Sequence, residues 1–438
     1  MFDRLLEACR FLRLDRAGTF DPALWLARCA VLFLLAVLPF SHNAALKNFA
    51  IFGLLTAAIW LAAGGRLDVD WRSPILRAIA GLLAVLVVTA SLGTEPADSL
   101  GELRKHFLPG ILLLLLIPVA FQEERLIRLV LAVSALAFMA RAGLTLAELA
   151  HYYPDLDSGR SDGHFIKGFS MDASFYIPAL IGLLLLGGRW RWLAPLGLLA
   201  VMVVMLLVES RTPLVASLIA VLVMLLVLRQ WRTLLMGFAG ALLVGGYFVA
   251  GHPQIAGRFA SILSPQTYVT AFDTKNYTGA EGLAARMPIW LGVMEITASR
   301  SLAGYGFGWK KLGKLAVDDG YVARWAGKEN DALAQEQAWY FSLPPAKVNP
   351  HNLYLQIYFE SGWLGLMAYA AMLLVLFWQA LRLSWHGQRN KRIIAAVALA
   401  YLVGHVILGL ANGLWIGLGP SLALIALLET VRRSEKSA

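Results

Sequence analysis

Cysteine is nearly absent from this 438-residue chain. The two present, Cys9 and Cys29, sit near the amino terminus with no partner in any polar segment. That excludes a disulfide framework and a cysteine-based metal site. Charge is also scarce: 15% of residues are Asp, Glu, Lys or Arg, against about 25% in a soluble globular protein. The first twenty residues lack an apolar core followed by a small-residue cleavage site, so no cleavable signal peptide is expected. Internal repeats at solenoid periods are missing too, which removes that class of architecture.

What fills the chain instead is apolar sequence, 59% of residues, with a mean hydropathy of +0.65. Runs of about 17–25 apolar residues recur, the length needed to cross a hydrocarbon core roughly 30 Å thick. Twelve spans are predicted, at 24–40, 44–63, 75–92, 106–120, 126–149, 173–187, 192–208, 213–228, 233–250, 363–381, 393–411 and 415–431. The fold class is therefore an all-α polytopic membrane protein, with membrane lipid as its surroundings. It has three regions: residues 1–250 with spans one to nine, an external loop at 251–362, and residues 363–438 with spans ten to twelve and a tail.

The net charge of +10 is spread over short connections between spans, which argues against nucleic acid as a partner. Its distribution instead orients the chain. With the amino terminus inside, the inner segments carry twenty basic residues, including Arg4, Arg66, Arg125, Arg189, Arg229, Arg389 and Arg432. The short outer loops carry six: Lys47, Arg104, Lys105, Arg160, Lys167 and Arg211. Basic residues concentrate on the cytoplasmic side of membrane proteins. Both termini are thus expected in the cytoplasm and the 251–362 loop outside it. In that loop "LAARMPIWLGVMEITASR" has the pattern of a helix able to lie on a membrane surface, and "GYGFG" (Gly304 to Gly308) ends it. No strand or βαβ unit accompanies "GYGFG", so its glycines mark a turn rather than a dinucleotide site.

The polar residues assigned to the outer face give a short list of candidates. Arg211, in "VESRTPLV" between spans seven and eight, either anchors an interfacial loop or offers a planar fork to an anion. Arg286 opens the "ARMPIW" helix, where the helix dipole disfavours a cation unless an anion binds there. His351, in "VNPHNLYLQIYFESG", belongs with Asn352 to a helix cap after Pro350, or it serves as a general base. Arg141 lies inside span five, where a cation is functional by default or snorkels to the interface. Arg160, His164 and Lys167 are further candidates for the same basic site, each otherwise a solvated loop residue. Asp318 and Asp319 lack a histidine or second carboxylate pair nearby, so a helix amino terminus is expected there rather than a metal site. Arginines and a histidine on one face, without an acidic cluster, suit a polyanionic leaving group and a hydroxyl nucleophile.

These segments resemble the O-antigen ligase and polymerase superfamily. "HNLYLQIYFESGWLG" is similar to its H-[NS]-x-x-L-x-x-x-x-x-x-G signature at His351, Asn352, Leu355 and Gly362. "SRTPLVASLIAVLV" resembles its serine-arginine turn, and "ARMPIWLGVMEITASRSLAGYGFG" its R-x-x-x-W segment, with Arg286 and Trp290 in place. The charged insert "VDDGYVARWAGKENDALAQEQAWYFSLPPAKV" departs from the pattern. The resemblance implies a GT-C type transferase of the Gram-negative inner membrane with a periplasmic site and neither cofactor nor metal. The donor would be O-antigen on undecaprenyl pyrophosphate and the acceptor a hydroxyl of lipid A–core oligosaccharide, with inversion at the anomeric carbon. Arg211 and Arg286 would hold the pyrophosphate and His351 activate the acceptor, with Arg141, Arg160, Lys167 and Asn352 in support. The alternatives are an O-antigen polymerase or protein O-oligosaccharyltransferase using the same donor. A lipid-linked oligosaccharide flippase is the alternative of a different class. It would carry polar residues through the bilayer midplane.

Overall fold

The computed structural model describes residues 20–40, 43–152, 166, 168–208, 211–251, 286–413 and 419–436. Arg160, His164 and Lys167 lie outside them. The described regular structure is helical. Among the described residues nine α-helices precede the external loop: α1 (Pro22–Val37), α2 (Ala44–Ala63), α3 (Pro74–Ser91), α4 (Pro96–Ala120), α5 (Glu124–Tyr152), α6 (Phe169–Leu186), α7 (Leu193–Leu207), α8 (Arg211–Val227) and α9 (Trp231–Gly251). The loop holds α10 (Met287–Ala298), α11 (Lys311–Asp318), α12 (Tyr321–Ala326) and α13 (Ala332–Phe341). The chain closes with α14 (Leu353–Trp385), α15 (Arg389–Gly409) and α16 (Gly419–Lys436).

Local chemistry sets several helix starts. Asp21 accepts from the backbone N–H groups of Ala23 and Leu24, and Pro22 occupies the first turn of α1. Ser73 and Pro74 do the same for α3, since proline has no N–H to leave unsatisfied there. Among the described residues seven helices are long and apolar enough to cross a membrane: α2, α3, α4, α5, α6, α14 and α15. The chain is thus an all-α, multi-pass membrane protein. The other expected spans fall on α1, α7, α8, α9 and α16. Of these α1, α7 and α8 have 16, 15 and 17 residues.

Helix α15 lies at the centre, 78% buried along its apolar window, and packs on α6, α8, α14 and α16. Helix α2, 28% buried, lies at the edge and turns Phe49, Phe52, Ile59 and Trp60 outward. An outward apolar face suits lipid as the solvent. Polar contacts gather at the two ends of the helices. At one end Arg66 pairs with Asp21, and fully buried Glu429 accepts from Ser73 (2.7 Å), Arg432 (2.6 Å) and Arg433 (3.0 Å). Arg389 reaches the Leu185 carbonyl there at 3.0 Å. The opposite end joins the external loop to the bundle.

That loop builds its own core. Ile289, Val293 and Ile296 of α10 pack with Trp325, Tyr340 and Phe341. The expected membrane-surface helix is therefore a correction: the apolar face of α10 is covered by α13 and α14. The insert supplies the cover, because Trp325 and Phe341 both lie in it. Gly292 lets them close in; a Cβ there would stand 2.5 Å from the Phe341 ring.

Helix α14 begins at Leu353, ten residues before the expected span. Buried Gln356 and Glu360 dilute the hydropathy of its first turns without ending the helix. Gly362 interrupts it with φ 61° and ψ −159°. At that break the 301–306 strap docks backbone to backbone. Trp363 N–H donates to the Ser301 carbonyl (2.8 Å), Tyr305 N–H to that of Phe359 (2.8 Å), and Gly306 N–H to that of Glu360 (2.9 Å). The "GYGFG" turn is thus a docking element and not the expected helix stop, because α10 already ends at Ala298 with Ser299 as its cap.

Candidate functional site

Three residues far apart in sequence meet at the loop-side end of the bundle. Arg211 is the first residue of α8. The first turn of that helix is tied to α6 by Ser217, which donates to the Pro213 carbonyl (2.7 Å) and contacts Ser174 Oγ (3.3 Å). Glu209 and Ser210 lie outside the described residues. Arg286 precedes α10 and donates through Nη1 to the Ala411 carbonyl at 3.0 Å. His351 sits in the tight loop before α14.

The His351 backbone has φ +49°, left-handed for a residue with a side chain. That costs on the order of 1 kcal/mol or more and persists only where neighbours enforce it. Here the enforcement is visible. The His351 N–H donates to Asn349 Oδ1 (2.8 Å). Asn349 is clamped in turn: its N–H donates to Tyr340 Oη (3.0 Å), and that hydroxyl donates back to the Asn349 carbonyl (2.8 Å). Asn352 accepts from Tyr354 and Leu355 N–H groups, the helix cap expected of it. Its amide nitrogen donates to the Leu410 carbonyl at 3.2 Å.

Leu410 and Ala411 follow the last turn of α15. The final carbonyls of a helix have no partner within it and carry the negative end of its dipole. Arg286 and Asn352 satisfy two carbonyls at that end, so a buried central helix fixes both residues. Neither Leu410 nor Ala411 was a sequence candidate. Backbone acceptors leave no residue-type signal.

The groups also act on one another. Burial first, and then the Arg211 charge, lowers the Arg286 pKa, but from so high a value that the guanidinium stays charged at neutral pH. Burial, followed by the Arg286 charge, lowers the His351 pKa, so its imidazole is neutral there. Burial raises the Tyr340 pKa and keeps the clamp a neutral phenol. The arrangement offers two guanidinium forks for an anion and one imidazole able to accept a proton.

Arg141 has a different setting. It is 2% exposed, pairs with Asp172 of α6 and lies 5.5 Å over the Phe169 ring. Lys47 couples electrostatically to both members of the pair. Asp318 is the last residue of α11 and Asp319 its cap, so the pair closes one helix rather than opening the next, which Gly320 caps.

Comparison with known proteins covers the same ground. Residues 195–370 match the family model described as O-antigen ligase. The matched segment runs from α7 into α14 and contains Arg211, Arg286 and His351. The chain is also 25% identical over 301 residues to the O-antigen ligase of Salmonella typhimurium, covering 68% of each protein.

Proposed function

We propose, from the assignment to the O-antigen ligase family that both matches support, that this protein is an enzyme ligating O-antigen in lipopolysaccharide biosynthesis. The donor is an O-antigen glycan on undecaprenyl pyrophosphate, and the acceptor is a sugar hydroxyl of lipid A–core oligosaccharide. His351 takes the proton of that hydroxyl. The acceptor oxygen forms its bond to the anomeric carbon as the bond from that carbon to the pyrophosphate oxygen breaks. The electron pair leaves with the pyrophosphate, where Arg211 and Arg286 stabilise the growing charge. A single displacement inverts the anomeric configuration and needs no metal.

The observation that carries this reading is the electrostatic coupling of Arg211, Arg286 and His351, drawn from three separate parts of the chain. The resemblance to the ligase family implies a GT-C type protein of a Gram-negative inner membrane, the apolar runs support twelve crossings, and the basic-residue distribution supports the orientation. Its termini are cytoplasmic and its site periplasmic. Incubating purified protein with undecaprenyl-pyrophosphate-linked glycan and rough lipopolysaccharide, with and without EDTA, tests it. Glycan ladders on the lipopolysaccharide in both samples are expected. Elongation on the lipid carrier alone would make it a polymerase, translocation alone a flippase, and loss of transfer with EDTA would overturn the arginine account.

A further inference from the structure

Near the Arg–His cluster is a cavity of about 730 Å³ between the start of α4, the 307–314 segment that follows the strap, and α14. That size falls within the roughly 300–1,000 Å³ of small-molecule sites. Arg211, Arg286 and His351 are not among the described residues lining it. Its wall nonetheless reaches their loop. Gly413 lines the cavity, and a Cβ there would stand 3.7 Å from Asn349 Oδ1, the atom that holds the His351 N–H.

The wall chemistry is specific. Gln356, 3% exposed, gives its amide nitrogen to Glu360 Oε1 at 2.9 Å. Its own Oε1 is buried and has no partner. A Cβ on Gly413 would come within 2.0 Å of that oxygen, so the glycine keeps the space beside it clear. An orphan buried acceptor costs about 1–3 kcal/mol, and a ligand hydroxyl supplies the missing donor. Around the mouth charges of both signs alternate and pair, as in Lys105–Glu102 (2.9 Å) and Lys314–Glu95 (3.0 Å). Paired charges present many donors and acceptors without the one-sign field that would select a phosphate. Trp309 adds an aromatic surface, apolar in body and polar at its edge.

We propose that this cavity binds the hydroxyl-rich glycan of the acceptor and delivers its nucleophilic hydroxyl to His351, an assignment that rests on the ligase reading above. Gln356 and Glu360 project into the cavity from the helix whose amino terminus follows His351. A sugar held there stands next to the proton acceptor while the pyrophosphate is held by the arginines.

The test is steady-state transfer by the full-length protein, varying rough lipopolysaccharide and lipid-linked donor separately. Gly101→Leu adds apolar bulk at the cavity wall, where no atom lies within 4 Å of a Cβ at Gly101. Leucine is also the better helix former in α4. Acceptor KM is expected to rise at least tenfold, with donor KM within twofold of wild type. Trp309→Ala, altering a side chain that is only partly buried, is expected to raise acceptor KM about fivefold. Binding of delipidated core oligosaccharide, followed by saturation-transfer NMR, is expected with wild type and not with Gly101→Leu. Unchanged acceptor KM and oligosaccharide binding in both variants, or a rise confined to donor KM, overturns the proposal. Failure of wild type to transfer at all would sink the ligase reading instead.

Discussion

Replacing Gly362 with alanine tests whether the helix break and the strap form one unit. At φ 61° and ψ −159° the residue occupies a region open essentially to glycine alone, and a side chain there costs about 1–3 kcal/mol. The added Cβ would stand 2.3 Å from the Leu302 carbonyl carbon and 2.6 Å from the Ala303 nitrogen. Both are backbone atoms, so no rotamer change relieves the contact. The strap must lift, giving up Trp363 N–H to Ser301 (2.8 Å) and Leu364 N–H to Leu302 (3.1 Å). Each such bond contributes about 0.5–1.5 kcal/mol. With the strain, the expected loss is about 2–6 kcal/mol. The assay is thermal unfolding of detergent-purified protein followed by tryptophan fluorescence, with transfer activity in parallel. Gly81→Ala in α3 is the control, because nothing lies within 4 Å of its Cβ and alanine favours a helix interior by about 0.5–1 kcal/mol. A Gly362→Ala protein that melts with wild type, or a Gly81→Ala protein that melts as early, would refute the reasoning.

The remaining expectations are shorter. Arg286→Lys keeps the charge but loses the planar fork that reaches the Ala411 carbonyl and, in the proposed mechanism, the pyrophosphate. Transfer should fall about 10²-fold or more, and near-full activity would mean the charge acts diffusely. His351→Ala should lose at least about 10²-fold in kcat while the protein still inserts; substantial remaining turnover would remove the histidine as base. Because His351 is held below the ordinary value of about 6.5, first by burial and then by Arg286, the rate should be flat near neutrality. It should fall only as pH drops through that lowered value. Arg286→Gln should move the acid limb upward, and a wild-type limb at or above 6.5 would contradict the assignment. The same sign governs stability: below about pH 6.5 the unfolded chain takes up this proton first, so acidification costs folded-state stability. Arg141→Leu should destabilise by about 2–3 kcal/mol, below the 3–5 kcal/mol of a fully buried pair, because Asp172 keeps about a third of its exposure. An unchanged melting temperature would show the pair contributes nothing.

Much of the candidate site was legible in residue types. Arg286 at a helix start, Asn352 as a cap and His351 after a proline each carry a local chemical oddity that needs no coordinates to notice. The partners that hold them were not legible. Ala411 and Leu410 act through carbonyls, which every residue has. The core of the external loop was hidden for another reason. Its helix α10 has an apolar face that fits either lipid or protein, and only Trp325 and Phe341, some thirty to fifty residues onward, decide between them. Arg141 was ambiguous in the same way until Asp172 of another helix appeared beside it.

Hydropathy and charge act locally, residue by residue, so the chain alone determined that it is helical, multi-pass and unevenly basic. Contacts between distant segments depend on where helices end and how closely backbones approach. Those decided that Gly362 receives the strap, that the carbonyls just beyond α15 anchor Arg286 and Asn352, and that a polar cavity reaches the Gly413 side of the His351 loop. A side chain's type states what it can bind. Only the packing of the other helices fixes which atom it meets.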